Sequence, residues 1–258
     1  MDLEDQEAVR EAVSAICPEC AIHLAWYAVP GRYWTAPENL DCVAMSLSLA
    51  RALSQSGCRR LVAAGSCAEY DWNYEILSEQ TTPTRPRSLY GVCKDALRSI
   101  FESYCAGTGM EFAWMRLFYL YGPGEPEQRL VPAAISSLLA GEAAACTRGD
   151  QVRDFLHVED AASAICAIAS SGLSGPVNIG SGAPVSARTV VETLAEILHC
   201  PGKVIFGAVP SPLDEPRKLL AEVRKLKSQT GWEPRFALRA GLADTVGWWR
   251  KKLEPACP

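Results

Sequence analysis

Across residues 4–16 the apolar side chains Val9, Val13 and Ile16 recur at three- and four-residue intervals, which predicts an amphipathic helix. The apolar run Ala21-Ile22-His23-Leu24-Ala25 that follows predicts a short buried strand. The alternation then repeats. Leu40, Val43, Leu47 and Leu53 predict a helix over 38–55, and Leu61-Val62-Ala63-Ala64-Gly65 a second strand. A polar loop rich in Pro, Thr and Arg (71–87) leads to a helix from Leu89 to Tyr104. A strand over 112–118 comes next, stopped by Gly122-Pro123-Gly124. Beyond it the pattern predicts helix (130–140), strand (143–146), helix (159–170), strand (176–179), helix (187–199), strand (203–206) and two closing helices. Short, wholly apolar strands separated by helices indicate a parallel sheet covered on both faces, a doubly wound α/β fold. Ligands of such sheets sit at the carboxyl ends of the strands. His23-Leu24-Ala25-Trp26, Gly65-Ser66-Cys67 and Phe118 to Gly122 are therefore expected to share one crevice.

Composition narrows the class. The 258 residues are 48% hydrophobic and 21% charged, ordinary for a globular chain long enough to bury a core. Twenty-five basic residues against 30 acidic ones give a net charge of −5, and the basic ones are scattered, which argues against a nucleic-acid surface. No apolar run approaches the roughly 18 residues needed to span a bilayer. The acidic start Met1-Asp2-Leu3-Glu4-Asp5 is unlike a signal peptide, so no membrane partner is expected and the expected compartment is the cytoplasm. Cys17-Pro18-Glu19-Cys20 has the spacing of a metal or redox pair. With no second pair, and with His23, His157 and His199 scattered, reduced and mostly buried thiols and no metal are the expectation for the 11 cysteines.

Tyr90 and Lys94 stand four residues apart on one predicted helical face, where side chains meet. A free phenol titrates near 10, and moving it to about 7 takes roughly 4 kcal/mol. A single positive charge at about 4 Å supplies about 4 kcal/mol at an effective dielectric of 20, so one lysine has the required order of effect. Ser66, just past a strand end upstream, is placed to hold a substrate hydroxyl or carbonyl for that phenol. Tyr90 and Lys94 alone also fit a solvated helix pair.

Ser66, Tyr90 and Lys94 within this strand–helix alternation resemble the extended short-chain dehydrogenase/reductases, the NAD-dependent nucleotide-sugar epimerase/dehydratase family. His23-Leu24-Ala25 resembles the family's strand end beside the cofactor. Ala64-Gly65-Ser66-Cys67-Ala68-Glu69-Tyr70 is similar to its serine strand, and Ser88-Leu89-Tyr90-Gly91-Val92-Cys93-Lys94 to its active-site helix. Arg116 to Pro123, Arg153 to Asp160, Asn178-Ile179-Gly180-Ser181-Gly182 and Gly231-Trp232-Glu233-Pro234 follow in the family's order. The resemblance implies a truncated Rossmann domain over 1–123, to whose sheet strand 176–180 returns, and a smaller α/β substrate domain over 124–258. It implies NAD or NADP as cofactor, held by Asp2, Leu24, Ala25, Tyr90 and Lys94. Tyr90 would be the acid/base, with Lys94 lowering its pKa. Ser66, Cys67, Tyr119 and Arg153 would bind a nucleotide-diphosphate sugar. A homodimer through the Tyr90 helix and helix 38–55 is implied as well.

Several residues bear on that reading. Asp2 fits either the adenine-side aspartate or a helix cap. Arg153 fits either a diphosphate contact, its planar donors matching phosphate oxygens, or a structural pair with Asp160. Cys67 and Ala68 stand where the family's dehydratases carry Asp-Glu, and Glu69 is expected to face the other way, so dehydration is disfavoured against 4-epimerisation or 4-ketosugar reduction. Tyr119 replaces the usual asparagine of its block, and Cys42 falls where an asparagine often stands. Trp26, Tyr27, Tyr33 and Trp34 form either a sugar platform or the packing of their own loop. The sequence matches the family only after its first two βα units and third strand, so no Gly-rich phosphate turn is found and strand 21–25 is expected to expose an apolar edge. This motivates an alternative, a catalytically inactive remnant or module that binds nucleotide sugar without cofactor.

Overall fold

The computed structural model describes residues 2–211 and 215–253. Asp5 opens helix α1 (Gln6–Ile16) by accepting the Ala8 amide at 3.1 Å. Strand β1 (Cys20–His23), helix α2 (Glu38–Gln55) and strand β2 (Arg60–Ser66) follow. A 3-10 turn (Cys67–Glu69) and the short β3 (Ile76–Leu77) lead to α3 (Leu89–Thr108), β4 (Glu111–Leu117) and β5 (Tyr119–Tyr121). Then come α4 (Leu130–Leu139), β6 (Ala144–Cys146), β7 (Val152–His157), α5 (Val158–Ala169), β8 (Gly175–Ile179) and β9 (Pro184–Ser186). Helix α6 (Ala187–Ile197), β10 (Val204–Phe206), β11 (Lys218–Ala221), α7 (Arg224–Thr230) and α8 (Leu238–Leu253) complete the order.

The main sheet is parallel throughout, in the order β1-β2-β4-β8. Its side chains alternate between faces as a strand requires. Leu61, Ala63, Phe112 and Trp114 point into a cluster with Val9, Leu53, Leu97 and Phe101 of α1, α2 and α3. Val62, Ala113 and Met115 point to the other side, onto Ile165 and Ile168 of α5 and Leu226 of α7. The sheet is therefore covered on both faces, as the apolar runs required, and β8 returns to it from far along the chain. A second cluster gathers Ile135, Val190, Leu194, Leu242 and Trp249 from α4, α6 and α8 beside the two-stranded pair β6-β10.

A third sheet, β3-β11-β7-β5 with β9 antiparallel on β7, has no counterpart in the sequence reading. Its strands are short and several carry polar residues inward. Arg153 and Asp154 of β7 are both buried, and Asp154 accepts the Gly182 and Ala221 amides at 2.9 and 3.1 Å. Two boundaries also differ. Strand β1 ends at His23, so Leu24 and Ala25 lie beyond it and are exposed. Helix α3 runs on to Thr108 and closes on Gly109, whose φ of 75° suits a residue without Cβ.

Candidate functional site

Ser66 closes β2 and caps the 3-10 turn that follows. Its Oγ accepts the Ala68 amide at 3.2 Å, and its own amide donates to Glu69 Oε1 at 2.7 Å. Glu69 is wholly buried and also accepts from Trp114 Nε1 at 2.9 Å and Arg116 Nε at 2.8 Å. It faces the core, where it holds the Ser66 backbone. Helix α3 begins on the Ser88 hydroxyl, which accepts the Gly91 amide at 3.1 Å. A Cβ on Gly91 would stand 2.5 Å from the Ala68 carbonyl oxygen, so only glycine lets α3 lie this close to the turn. That approach brings the Tyr90 phenol beside Ser66.

The electrostatics of the pair differ from the sequence expectation. Burial pushes the Tyr90 phenol above its ordinary value, and Lys94 does not offset it. The Lys94 ammonium is buried, donates to the Ala64 carbonyl at 2.7 Å and sits 3.6 Å from the centroid of the Trp26 ring. It lies 6.0 Å from the centroid of the Tyr90 ring. Burial also draws the Lys94 pKa down to about 7, so near neutrality the charge itself is only partly present. His23, at the end of β1, is pulled down to about 4 by burial and pairs with Ser46 Oγ at 2.8 Å, a neutral core histidine.

The loop between β1 and α2 wraps this pair in rings. Trp26, Tyr33 and Trp34 each meet Tyr90 edge-on, with centroids 6.3, 4.9 and 5.8 Å away. Asn39 fixes the loop, accepting from Trp26 Nε1 at 2.8 Å and donating to the Tyr33 carbonyl at 2.7 Å. The Tyr33 phenol lies beside Arg129 at the start of α4. Cys67, its thiol pushed up to about 12 by burial, lies near both Ser66 and Arg153, and the Arg153 guanidinium sits 5.3 Å from the centroid of the Tyr119 ring. A continuous line of side chains thus runs from Tyr90 to a cavity of about 250 Å³ lined by Tyr119, Glu125, Arg129, Gln151, Arg153 and Glu215.

Within that cavity Arg153 pairs with Glu215 at 2.8 Å. The structural alternative for Arg153 is corrected: Asp160 instead accepts the Arg235 and Phe236 amides, each at 3.0 Å. Glu125 carries a carboxylate whose pKa burial raises to about 7 and whose Oε2 has no hydrogen-bond partner among the described residues. The sequence reading missed Glu125, Arg129 and Glu215, which lie in irregular segments whose side chains meet only in three dimensions. Asp2 is exposed and accepts the Glu4 amide at 3.0 Å; the cap of α1 is Asp5, so the capping alternative for Asp2 is corrected too. Cys17 and Cys20 are exposed, and among the described residues no three His, Cys, Asp or Glu side chains gather as a metal site.

This arrangement has close parallels. UDP-glucose 4-epimerase from Thermotoga maritima, solved with UDP-glucose, superposes with a TM-score of 0.90 at 25% identity over 98% of this chain and 84% of that one. MoeE5, solved with UDP-glucose and NAD, superposes with a TM-score of 0.85 at 32% identity over 98% of this chain and 85% of that one. UDP-glucuronic acid decarboxylase 1 of Xenopus tropicalis is 28% identical over 90% of this chain, which spans 57% of that relative's length. The model of the NAD dependent epimerase/dehydratase family matches residues 1–180, through the sheet, the Ser66 turn, the Tyr90 helix and β8. The chain belongs to the NAD dependent epimerase/dehydratase family.

Proposed function

We propose that this chain acts on a nucleotide-diphosphate sugar as an NAD(P)-dependent 4-epimerase or 4-ketosugar reductase, with Tyr90 moving the proton of a sugar oxygen. The observation that carries the reading is the junction of Ser66 and Tyr90 with a cavity holding Arg129 and Arg153. Two guanidinium groups at one end suit a diphosphate. A phenol and a hydroxyl at the other suit a ring carbinol or ketone. Its solved relatives carry UDP-glucose, a ligand with both ends. They are enzymes, and the inactive-remnant alternative gains no specific support from them.

The residues fit a nicotinamide dinucleotide in their donor chemistry. Lys94 commits one of its N–H groups to Ala64 and has others for ribose hydroxyls, while Leu24 and Ala25 are open at the end of β1. Asp2 would face the adenine end. When bound, such a group supplies reversible hydride exchange with a sugar carbon. The Trp26 indole shares the Lys94 ammonium and would compete with a ribose for it. Ser66 orients the sugar oxygen, and Tyr90, resting as the neutral phenol, is ready to give a proton to a ketone oxygen. Cys67 and Tyr119 line the way to the diphosphate end. Neither Cys67 nor Ala68 bears a carboxylate, which supports hydride chemistry without loss of water.

The domain reading divides residues 1–123, with β8, from 124–258. Leu40 of α2 and Val92 and Ile100 of α3 are exposed apolar side chains, which supports a homodimer through those helices. The test is turnover of uridine- and thymidine-diphosphate sugars with NAD(H) and NADP(H), followed by nicotinamide absorbance and product analysis. Tyr90→Phe should lower turnover by about 10²- to 10⁴-fold while nucleotide-sugar binding persists. Full activity in that variant would overturn the assignment of Tyr90.

A further inference from the structure

The cavity that holds Arg129 and Arg153 also holds two carboxylates. Arg153 is engaged by Glu215 at 2.8 Å, and Arg129 Nε by Glu125 Oε1 at 3.4 Å. Among the described lining residues, two guanidinium groups against two carboxylates leave no net charge when all four are ionised. The two acids are held differently. The Glu215 side chain is 31% exposed, whereas that of Glu125 is 12% exposed and its Oε2 is buried without a hydrogen-bond partner among the described residues. A buried carboxylate with one oxygen unpaired is costly in its charged form, and burial brings Glu125 to titrate at about 7. The groups around Glu125 keep their own charge states. Arg129 at the start of α4 and Arg153 of β7 stay cationic. Burial holds the phenols of Tyr119 and Tyr121 on β5, and of Tyr33 beside Arg129, in their neutral form.

We propose that Glu125 makes the cavity's hold on a diphosphate proton-linked: the ligand binds with uptake of a proton by the Glu125 carboxylate, and binding weakens as pH rises above neutrality. The inference rests on the nucleotide-sugar reading above and adds a regulation of that same site. Ionised, Glu125 competes for Arg129 and repels an incoming diphosphate. Protonated, it releases the guanidinium and leaves two positive charges against the one negative charge of Glu215, a field that favours a dianion. Both phosphates of a nucleotide-diphosphate sugar are esterified, so the ligand keeps its charge over the range in which Glu125 titrates. A bound dianion raises the Glu125 pKa above its value in the free protein. By linkage, affinity is full below the free value of about 7 and falls by up to about tenfold per pH unit between the free and bound values.

The test is calorimetric binding of UDP-glucose and dTDP-glucose to the full chain at about pH 6, 7.5 and 8.5, each in two buffers of different ionisation enthalpy, which counts the protons taken up. At about pH 7.5 whichever ligand is accepted should draw in a substantial fraction of one proton per chain. Glu125→Gln keeps the shape of the side chain without its charge and should abolish that uptake. It should match the unaltered protein at about pH 6 and bind about tenfold more tightly at about pH 8.5. A merely structural role for Glu125 would instead weaken binding at every pH. Should circular dichroism show that variant unfolded, Glu125→Met, uncharged and of similar length, provides the same comparison. Binding without proton uptake, uptake that persists in the folded variant, or a variant no tighter than the unaltered protein at about pH 8.5 each overturns the proton linkage and leaves nucleotide-sugar binding standing. Binding of neither compound by the folded, unaltered chain at any of the three pH values overturns the nucleotide-sugar reading together with this one.

Discussion

Lys94 shows how far a residue's surroundings can reverse its arithmetic. From sequence, an ammonium four residues from a phenol has the strength to bring that phenol toward neutrality. In the fold the ammonium is turned under Trp26 and toward a backbone carbonyl, and burial weakens it. The consequence for stability has a definite sign. Because the folded pKa of Lys94 is about 7 against 10.5 for the free side chain, both states hold the proton below pH 7 and the cost of burying the charge is felt in full. Between pH 7 and 10.5 the unfolded chain binds more protons, so the Lys94 contribution rises with pH by up to about 1.4 kcal/mol per unit. Denaturant titrations at about pH 6 and about pH 9 should show this rise in the unaltered protein and a smaller one in Lys94→Met. Identical pH dependence in the two proteins would refute the buried-ammonium account.

Among the elements, α3 and the Ser66 turn matter most, and their contact depends on a missing side chain. Gly91 lets the first turn of α3 rest against the Ala68 carbonyl. An added methyl group there must push the helix outward and carry Tyr90 away from Ser66. Gly91→Ala is expected to cost about 1–3 kcal/mol, the usual range for overpacking, although alanine favours a helix interior. Thermal melts together with turnover check this: unchanged activity would show that the spacing of helix and turn is not what sets the pair. Glu69 does related work from beneath. It joins Ser66 to Arg116 and Trp114, and its placement between Ser66 and the core was legible only in part. That Glu69 anchors the turn from the core was not foreseen, because Trp114 and Arg116 lie far off in sequence.

At the level of the whole molecule, the sheet and its two covering layers place every strand end of the main sheet on one rim. The third sheet brings Arg153 into the cavity that Arg129 and Glu215 share. Ile22 and Leu24 are 45% and 51% exposed at the rim of β1, an edge strand among the described residues, as the sequence predicted. Val92 and Ile100 are 48% and 43% exposed on α3. If that helix carries the dimer contact, Val92→Asp and Ile100→Asp should each shift the chain toward monomer in sedimentation experiments with the fold retained. A mass unaltered by both changes would place the contact elsewhere.

Sequence by itself determined the doubly wound sheet, and the resemblance of its blocks to the family's implied the return of β8. The sheet rests on local periodicity, which the chain fixes wherever its core is buried. Tertiary structure alone decided the third sheet, whose strands are too short and too polar to show a period. It also decided the engagement of Lys94 with Trp26 and the pairing of Arg153 with Glu215 rather than Asp160. Each of those is set by desolvation and by contacts between residues distant in the chain, and neither quantity is defined until the chain has folded.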